Sequence, residues 1–265
     1  PQFLGADAEV PLPMLEEALQ GEVAPTTGGG QDDLLHYWHY SALMHKTRRM
    51  AIYTVCNIDG NLLYNFPRGT DRWFYDPRMK REYQAGEELY ADNKIQRGHL
   101  VRRLDPGWGA TREAAKAAID DTFFWTNCTP QHQNFNPRSW LSLEDYILKN
   151  ADRDNVKVTV FTGPIFTETD KTYRGFRIPE EYWKVVAVIS PESGRLSVTA
   201  YIVSQRDFMG DLELVVFGDF KTYHVPVKVV EKKTGLDFGL NEFDPLDSNE
   251  SLAVRVIESA EDIML

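Results

Sequence analysis

Between Gln96 and Glu144 the chain gathers residue types that together suit hydrolytic chemistry. Gln96-Arg97-Gly98-His99-Leu100 supplies an imidazole, the side chain that titrates nearest neutrality and can take a proton from water. Gly98 lets the backbone turn tightly beside it. Arg97 can pair with phosphate oxygens as charge rises on a five-coordinate phosphorus. Further on, Thr126-Asn127-Cys128-Thr129-Pro130-Gln131 and Asn134-Phe135-Asn136 are followed by Trp140 and Glu144, adding an amide oxygen at Asn136 and a carboxylate at Glu144. Arg72, upstream, adds another cation. A base, an amide oxygen, a carboxylate and arginines are the groups needed to hydrolyse a phosphodiester with one hard metal ion. Each also has a plain structural alternative: Asn136 before Pro137 reads as a helix cap, Glu144 as a solvated helix residue, Arg72 and Arg138 as surface charges, and His99 as a hydrogen-bonded core histidine.

The elements that must carry these residues are legible in the pattern. Residues 51–58 form a β-branched, aromatic strand whose closing Asp59-Gly60 predicts a hairpin into 62–66. Residues 67–95 are polar and punctuated by Pro67, Gly69, Pro77 and Gly86, so they read as a long loop carrying Arg72-Trp73-Phe74-Tyr75-Asp76-Pro77. Alanine-rich 110–122 predicts a helix capped by Thr111. A second helix starts at Asn136-Pro137 and runs to about Lys149, with Trp140, Leu143 and Ile147 as its apolar stripe. Eight steps of about 100° leave Asn136 and Glu144 about 80° apart around it. Residues 156–161, 183–189 and 196–203 are strands that alternate poorly, as central strands covered on both faces do. Residues 225–233 read as a closing helix. The organisation is a mixed α+β domain over 35–240, an N-terminal arm or linker over 1–34 with at most a short helix near 14–19, and an acidic extension over 241–265. No internal repeat is present.

Composition bounds the partners. With 42% hydrophobic and 12% aromatic residues, the chain can bury a sizeable core. No apolar run approaches the roughly 18 to 20 residues of a membrane span, and the start lacks the basic and apolar blocks of a secretion signal. Cell location stays open. Beginning at Pro1 rather than Met, the chain reads as a processed product or as a segment of a longer polypeptide. Cys56 and Cys128 are too few for a disulfide scaffold or a thiolate zinc site and read as free thiols. A net charge of -11 opposes binding to phosphate backbones, which relies on Lys and Arg. The distribution of charge points the other way: residues 1–33 and 236–265 carry -7 each, leaving the middle at +3. Nothing in the pattern suggests a helix-turn-helix, a zinc finger or an aromatic platform for bases, so contacts are expected at phosphates, with Arg72, Arg97, Arg102 and Arg103 as candidates.

Arg97-Gly98-His99, then Asn127-Cys128-Thr129-Pro130-Gln131, Asn136, Trp140 and Leu143-Glu144-Asp145, resembles the signature of the DNA/RNA non-specific endonuclease family, the ββα-metal nucleases. Thr162-Gly163-Pro164-Ile165-Phe166, Ile178-Pro179, Tyr182-Trp183-Lys184 and Thr234-Gly235-Leu236-Asp237-Phe238 are similar to later landmarks of that family, so the resemblance covers about 35–238. It implies a central, mainly antiparallel sheet with helices packed on it. It implies His99 as general base, Asn136 as the only direct protein ligand of a Mg²⁺ (with Mn²⁺ as substitute), and Glu144 as an outer-shell acceptor for a metal-bound water. Arg97 and Arg72 would bind and neutralise the scissile phosphate, and Asn127 would line the site. DNA and RNA are the implied substrates, no membrane is involved, and a second copy or another protein partner is left open. Two positions depart from the family pattern: Gln96 stands where an acid usually precedes Arg-Gly-His, and Leu148 stands where an arginine often follows the glutamate by one turn. Lys149, Arg138 and Arg102 are the residues that could replace that arginine. Two other readings remain: a nuclease restricted to one sugar or to single strands, and a non-catalytic nucleic-acid or protein interaction module on the same fold.

Overall fold

β-Branched and aromatic runs favour pleated, half-buried surfaces, and here they pair into one large sheet. A computed structural model of the chain describes residues 2–5, 8–27, 32–132, 139–205, 221–247 and 255–257. In chain order the principal strands are β1 Leu34–His36, β2 Tyr40–His45, β3 Met50–Asp59, β4 Ile95–His99, β5 Cys128–His132, β6 Lys157–Ile165, β7 Glu181–Ile189, β8 Leu196–Ser204, β9 Lys221–Val225 and β10 Arg255–Ile257. The principal helices are α1 Arg112–Asp121, α2 Ser139–Asp154 and α3 Val227–Thr234. Eight strands form an antiparallel sheet in the order β10-β9-β8-β7-β6-β3-β2-β1. The architecture is the α+β arrangement expected.

The sheet is buried on both faces, which explains the poor alternation of its central strands. On β7, Tyr182, Val186 and Val188 join the cluster containing Leu143, Ile147 and Ala151 of α2. The intervening Trp183, Val185 and Ala187 join the opposite cluster with Val227 and Val230 of α3. α1 begins as its sequence predicts, with the Thr111 hydroxyl accepting a hydrogen bond from the Ala114 amide at 3.2 Å. α3 ends at Gly235, whose φ of 71° is the left-handed cap that glycine adopts without strain.

Where β3 ends, the hairpin expected from Asp59-Gly60 does not form. Gly60–Leu62 is a 3-10 turn, its Asn61 amide capped by the Asp59 carboxylate, and the chain leaves the sheet. The glycine answers to tertiary packing: a Cβ on Gly60 would lie 1.8 Å from the carbonyl oxygen of Ala151 in α2. β3 and β6 are hydrogen-bonded neighbours, so residues 60–156 form a single excursion between two adjacent central strands. That excursion carries β4, β5, α1 and α2.

Both ends add to the core in their described parts. Met14–Leu15 pairs with Leu236–Asp237, and Val10 and Ala24 are buried. The short helix expected near 14–19 is Glu17–Gln20. Beyond residue 240, Asp244 accepts a hydrogen bond from the first amide of α3 at 2.7 Å, and β10 extends the sheet edge beside β9. Cys56 and Cys128 are free and buried. Among the described residues, no helix is long and apolar enough to cross a membrane.

Candidate active site

β4 and β5 form a two-stranded antiparallel ribbon, with Arg97 opposite Pro130, Gly98 opposite Thr129 and His99 opposite Cys128. The ribbon closes tightly over Gly98: a Cβ there would meet the Gln131 side chain at 2.2 Å. Side chains from the large sheet hold the ribbon in place. The Tyr182 hydroxyl donates to the Pro130 carbonyl, and the Gln205 carboxamide bridges the His132 amide at 2.9 Å and the Pro179 carbonyl at 2.6 Å. α2 follows the ribbon and packs on the sheet, completing a ββα unit.

His99 ends β4 in an aromatic pocket. Its ring lies 4.6 Å from that of Trp73 and 5.0 Å, edge-on, from that of Phe123. Trp73 stacks in turn on Trp125, and Trp125 on Tyr90, each at 5.4 Å. Trp125 and Tyr90 are buried, so this row backs the histidine rather than offering a surface to bases. Burial pulls the imidazole pKa down to about 4; Asp71 opposes the shift, while Arg68 and Arg103 add to it. The ring is therefore neutral at pH 7. Its Nε2 is buried with no hydrogen-bond partner among the described residues, so a basic nitrogen is held without a protein donor.

The expected arginines differ in what they touch. Arg97 makes a two-pronged ion pair with Glu87, at 2.6 and 2.7 Å, so the acid beside the Arg-Gly-His triplet comes from a neighbouring segment instead of position 96. Arg72 is exposed and has neither ion pair nor hydrogen bond among the described residues. Arg102 pairs with Asp145 on α2. Arg103 donates to the Phe66 carbonyl at 3.1 Å. The sequence reading missed Arg68, which pairs with Asp71 at 2.7 Å and acts on His99 with Arg103. Its signal was there: Arg68, Asp71 and Arg72 share one loop with Trp73.

Asn127 is fully buried. Its amide oxygen accepts from the Val101 amide at 2.8 Å, and its NH₂ donates to the carbonyls of Val101 and Thr122 at 3.0 Å each. It thus clamps the backbone just after His99 to the end of α1. Glu144, on α2, is 8% exposed and pairs at 3.3 Å with Lys184 of β7, which is 1% exposed. Lys184 faces α2 because it shares the sheet face of Tyr182 and Val186. Asp105, in the segment after β4, is buried, and burial, then Glu144, push its carboxyl up to about 7. Asn136 and Arg138 lie outside the described residues.

Among the described residues, no group of three or more His, Cys, Asp or Glu is arranged to hold a metal. A single amide oxygen with water completing the shell suits a hard ion that sheds water reluctantly, as Mg²⁺ does.

The sequence pattern described as DNA/RNA non-specific endonuclease matches residues 22–244. The chain is 45% identical over 249 residues to an uncharacterised protein, y4fB, of Sinorhizobium fredii, covering 87% of this chain and 37% of that protein. It is 32% identical over 180 residues to a nuclease of Serratia marcescens, covering 63% of this chain and 60% of the relative. It is 26% identical over 175 residues to human mitochondrial Endonuclease G, covering 62% and 54%. The chain thus spans between about a third and three fifths of the length of these relatives. Among solved structures, the EndoG/EndoGI complex shares the fold, with a TM-score of 0.61 at 16% identity over 80% of this chain and 87% of that one.

Proposed function

Because the chain belongs to the DNA/RNA non-specific endonuclease family, we propose that it is a metal-dependent phosphodiester hydrolase that cuts DNA and RNA internally with little sequence preference. The observation that carries this reading is His99: a neutral imidazole whose Nε2 has no protein partner among the described residues, fixed at the end of the ββα ribbon beside arginines. In this reading His99 takes the proton from the attacking water as its oxygen bonds to phosphorus. Arg97 and the exposed Arg72 offset the charge that grows on the phosphate oxygens, while Arg102 and Arg103 lie further along the same strand exit. Arg97 then exchanges part of its pairing with Glu87 for the substrate. Asn127 acts through the backbone it clamps, holding the segment that follows His99. Asn136 would hold Mg²⁺ or Mn²⁺, with Glu144 orienting a water of its shell; when bound, the ion acts as a Lewis acid on the phosphate and its leaving oxygen.

A plasmid-nicking assay tests the reading. Supercoiled DNA and a structured RNA should both be cut with Mg²⁺ or Mn²⁺ and left intact with EDTA. Binding without cleavage under every metal condition would leave only an interaction module, and cleavage of one sugar alone would make the enzyme a restricted nuclease.

A further inference from the structure

We propose that Lys184 is a positioning residue of the active site, the cation that ties Glu144 of α2 to one point of the sheet. β7 is apolar around it, with Trp183, Val185, Val186 and Ala187 all fully buried. A cation in such a strand demands anions, because an unpaired buried charge is strongly unfavourable. The carboxylate it pairs with comes from the helix. Glu144 of α2 lies at 3.3 Å. Asp105, from the segment after β4, is close enough that its carboxyl feels Glu144 and Lys184 in opposite senses. Thr162 on β6 fixes the ammonium from the side at 3.1 Å. Beside them the Arg102–Asp145 pair links the same segment to the same helix. Without Lys184, Glu144 loses the ammonium that fixes its carboxylate and is left as an unpaired buried charge that must turn away or take up a proton. At 1% exposure Lys184 cannot touch a phosphate, so it acts through Glu144.

This inference rests on the endonuclease reading and assigns Glu144's orientation to a strand residue outside the ββα unit. The test uses the full chain with Lys184→Met and with the double variant K184M/D105N, in which one carboxylate is neutralised along with the lysine so that folding does not decide the result. Two quantities are read: kcat and KM on a short oligonucleotide, and the Kd of Mn²⁺ alone by electron paramagnetic resonance. In both variants kcat should fall and Mn²⁺ Kd should rise by about 10-fold or more, the scale seen when an outer-shell partner of a metal site is lost, while KM stays near wild type. A folded double variant with wild-type kcat and Mn²⁺ affinity overturns the proposal, as does a change confined to KM. Wild-type chain that cuts nothing would instead remove the endonuclease reading, and the Mn²⁺ comparison would still judge Lys184.

Discussion

A base serves a hydrolase at neutral pH only while it is unprotonated, and His99 is kept so by its surroundings. With its pKa near 4 instead of the ordinary 6.5, the acidic limb of kcat/KM should lie near pH 4, activity falling as protonation removes the base. A pH–rate profile checks this, and a limb near 6.5 would place the essential base elsewhere. Stability has the same sign. The unfolded chain takes up a proton near pH 6.5 that folded His99 refuses until about 4, so this contribution is complete above 6.5 and erodes as pH falls toward 4. His45, also pulled down to about 4 by burial, adds to it. Thermal melts across that window should show Tm dropping on acidification. His99→Ala should lower kcat by at least about 100-fold with the circular dichroism unchanged. His99 and its neighbouring arginine were legible as residue types in order. Glu144's partner was not, since Lys184 is distant in sequence and reaches α2 only through the register of β7. Asn127 was noticed for its place in the motif, but its three backbone hydrogen bonds depend on how residue 101 and the end of α1 meet, which no local pattern records.

Elements were legible where their determinants are local. Thr111 announced α1, Gly235 the end of α3, and the β-branched runs their strands, because caps, left-handed glycines and pleat preferences act within a few residues. The turn after β3 was misread for the opposite reason: Asp59-Gly60 is a hairpin signal, yet this glycine is required by the Ala151 carbonyl of α2. The two cases predict different outcomes. Thr111→Ala removes a cap on a helix that carries none of the candidate site residues, so it should cost about 1 kcal/mol and leave kcat unchanged. Gly60→Ala forces a methyl against a backbone oxygen that cannot rotate away. It should cost about 1 to 3 kcal/mol as an overpacked contact and, by shifting α2, lower kcat as well. Chemical denaturation beside steady-state rates separates them; a Gly60→Ala protein with full stability and rate would show that α2 yields there without consequence.

At the scale of the molecule, charge segregation matters more than net charge. A mildly basic middle of +3 carries the candidate site between two ends of -7 each. Those ends are not all loose ballast, because Val10, Ala24 and the pairing of Met14–Leu15 with Leu236–Asp237 build them into the core. Deleting residues 1–33 would therefore lower Tm, and the electrostatic question is better put by neutralising exposed acids, as in E9Q/E17Q/D32N. If the acidic end repels substrate, that variant should bind a phosphodiester chain more tightly at low salt. The gain should vanish near 0.1 M and above, where screening acts over about 10 Å. The wild-type chain itself should lose cleavage steeply with added salt, log activity falling linearly with log salt, because phosphate contacts by Arg72, Arg97, Arg102 and Arg103 draw on counterion release. Phosphate contacts position a substrate without reading it, and the aromatic row behind His99 is largely committed to the interior. Cuts should accordingly spread over many sequences in both DNA and RNA. A sharp banding pattern on a long duplex, or RNA left whole while DNA at equal concentration is consumed, would show that base edges or the sugar are being read and would sink the idea of recognition through phosphates alone.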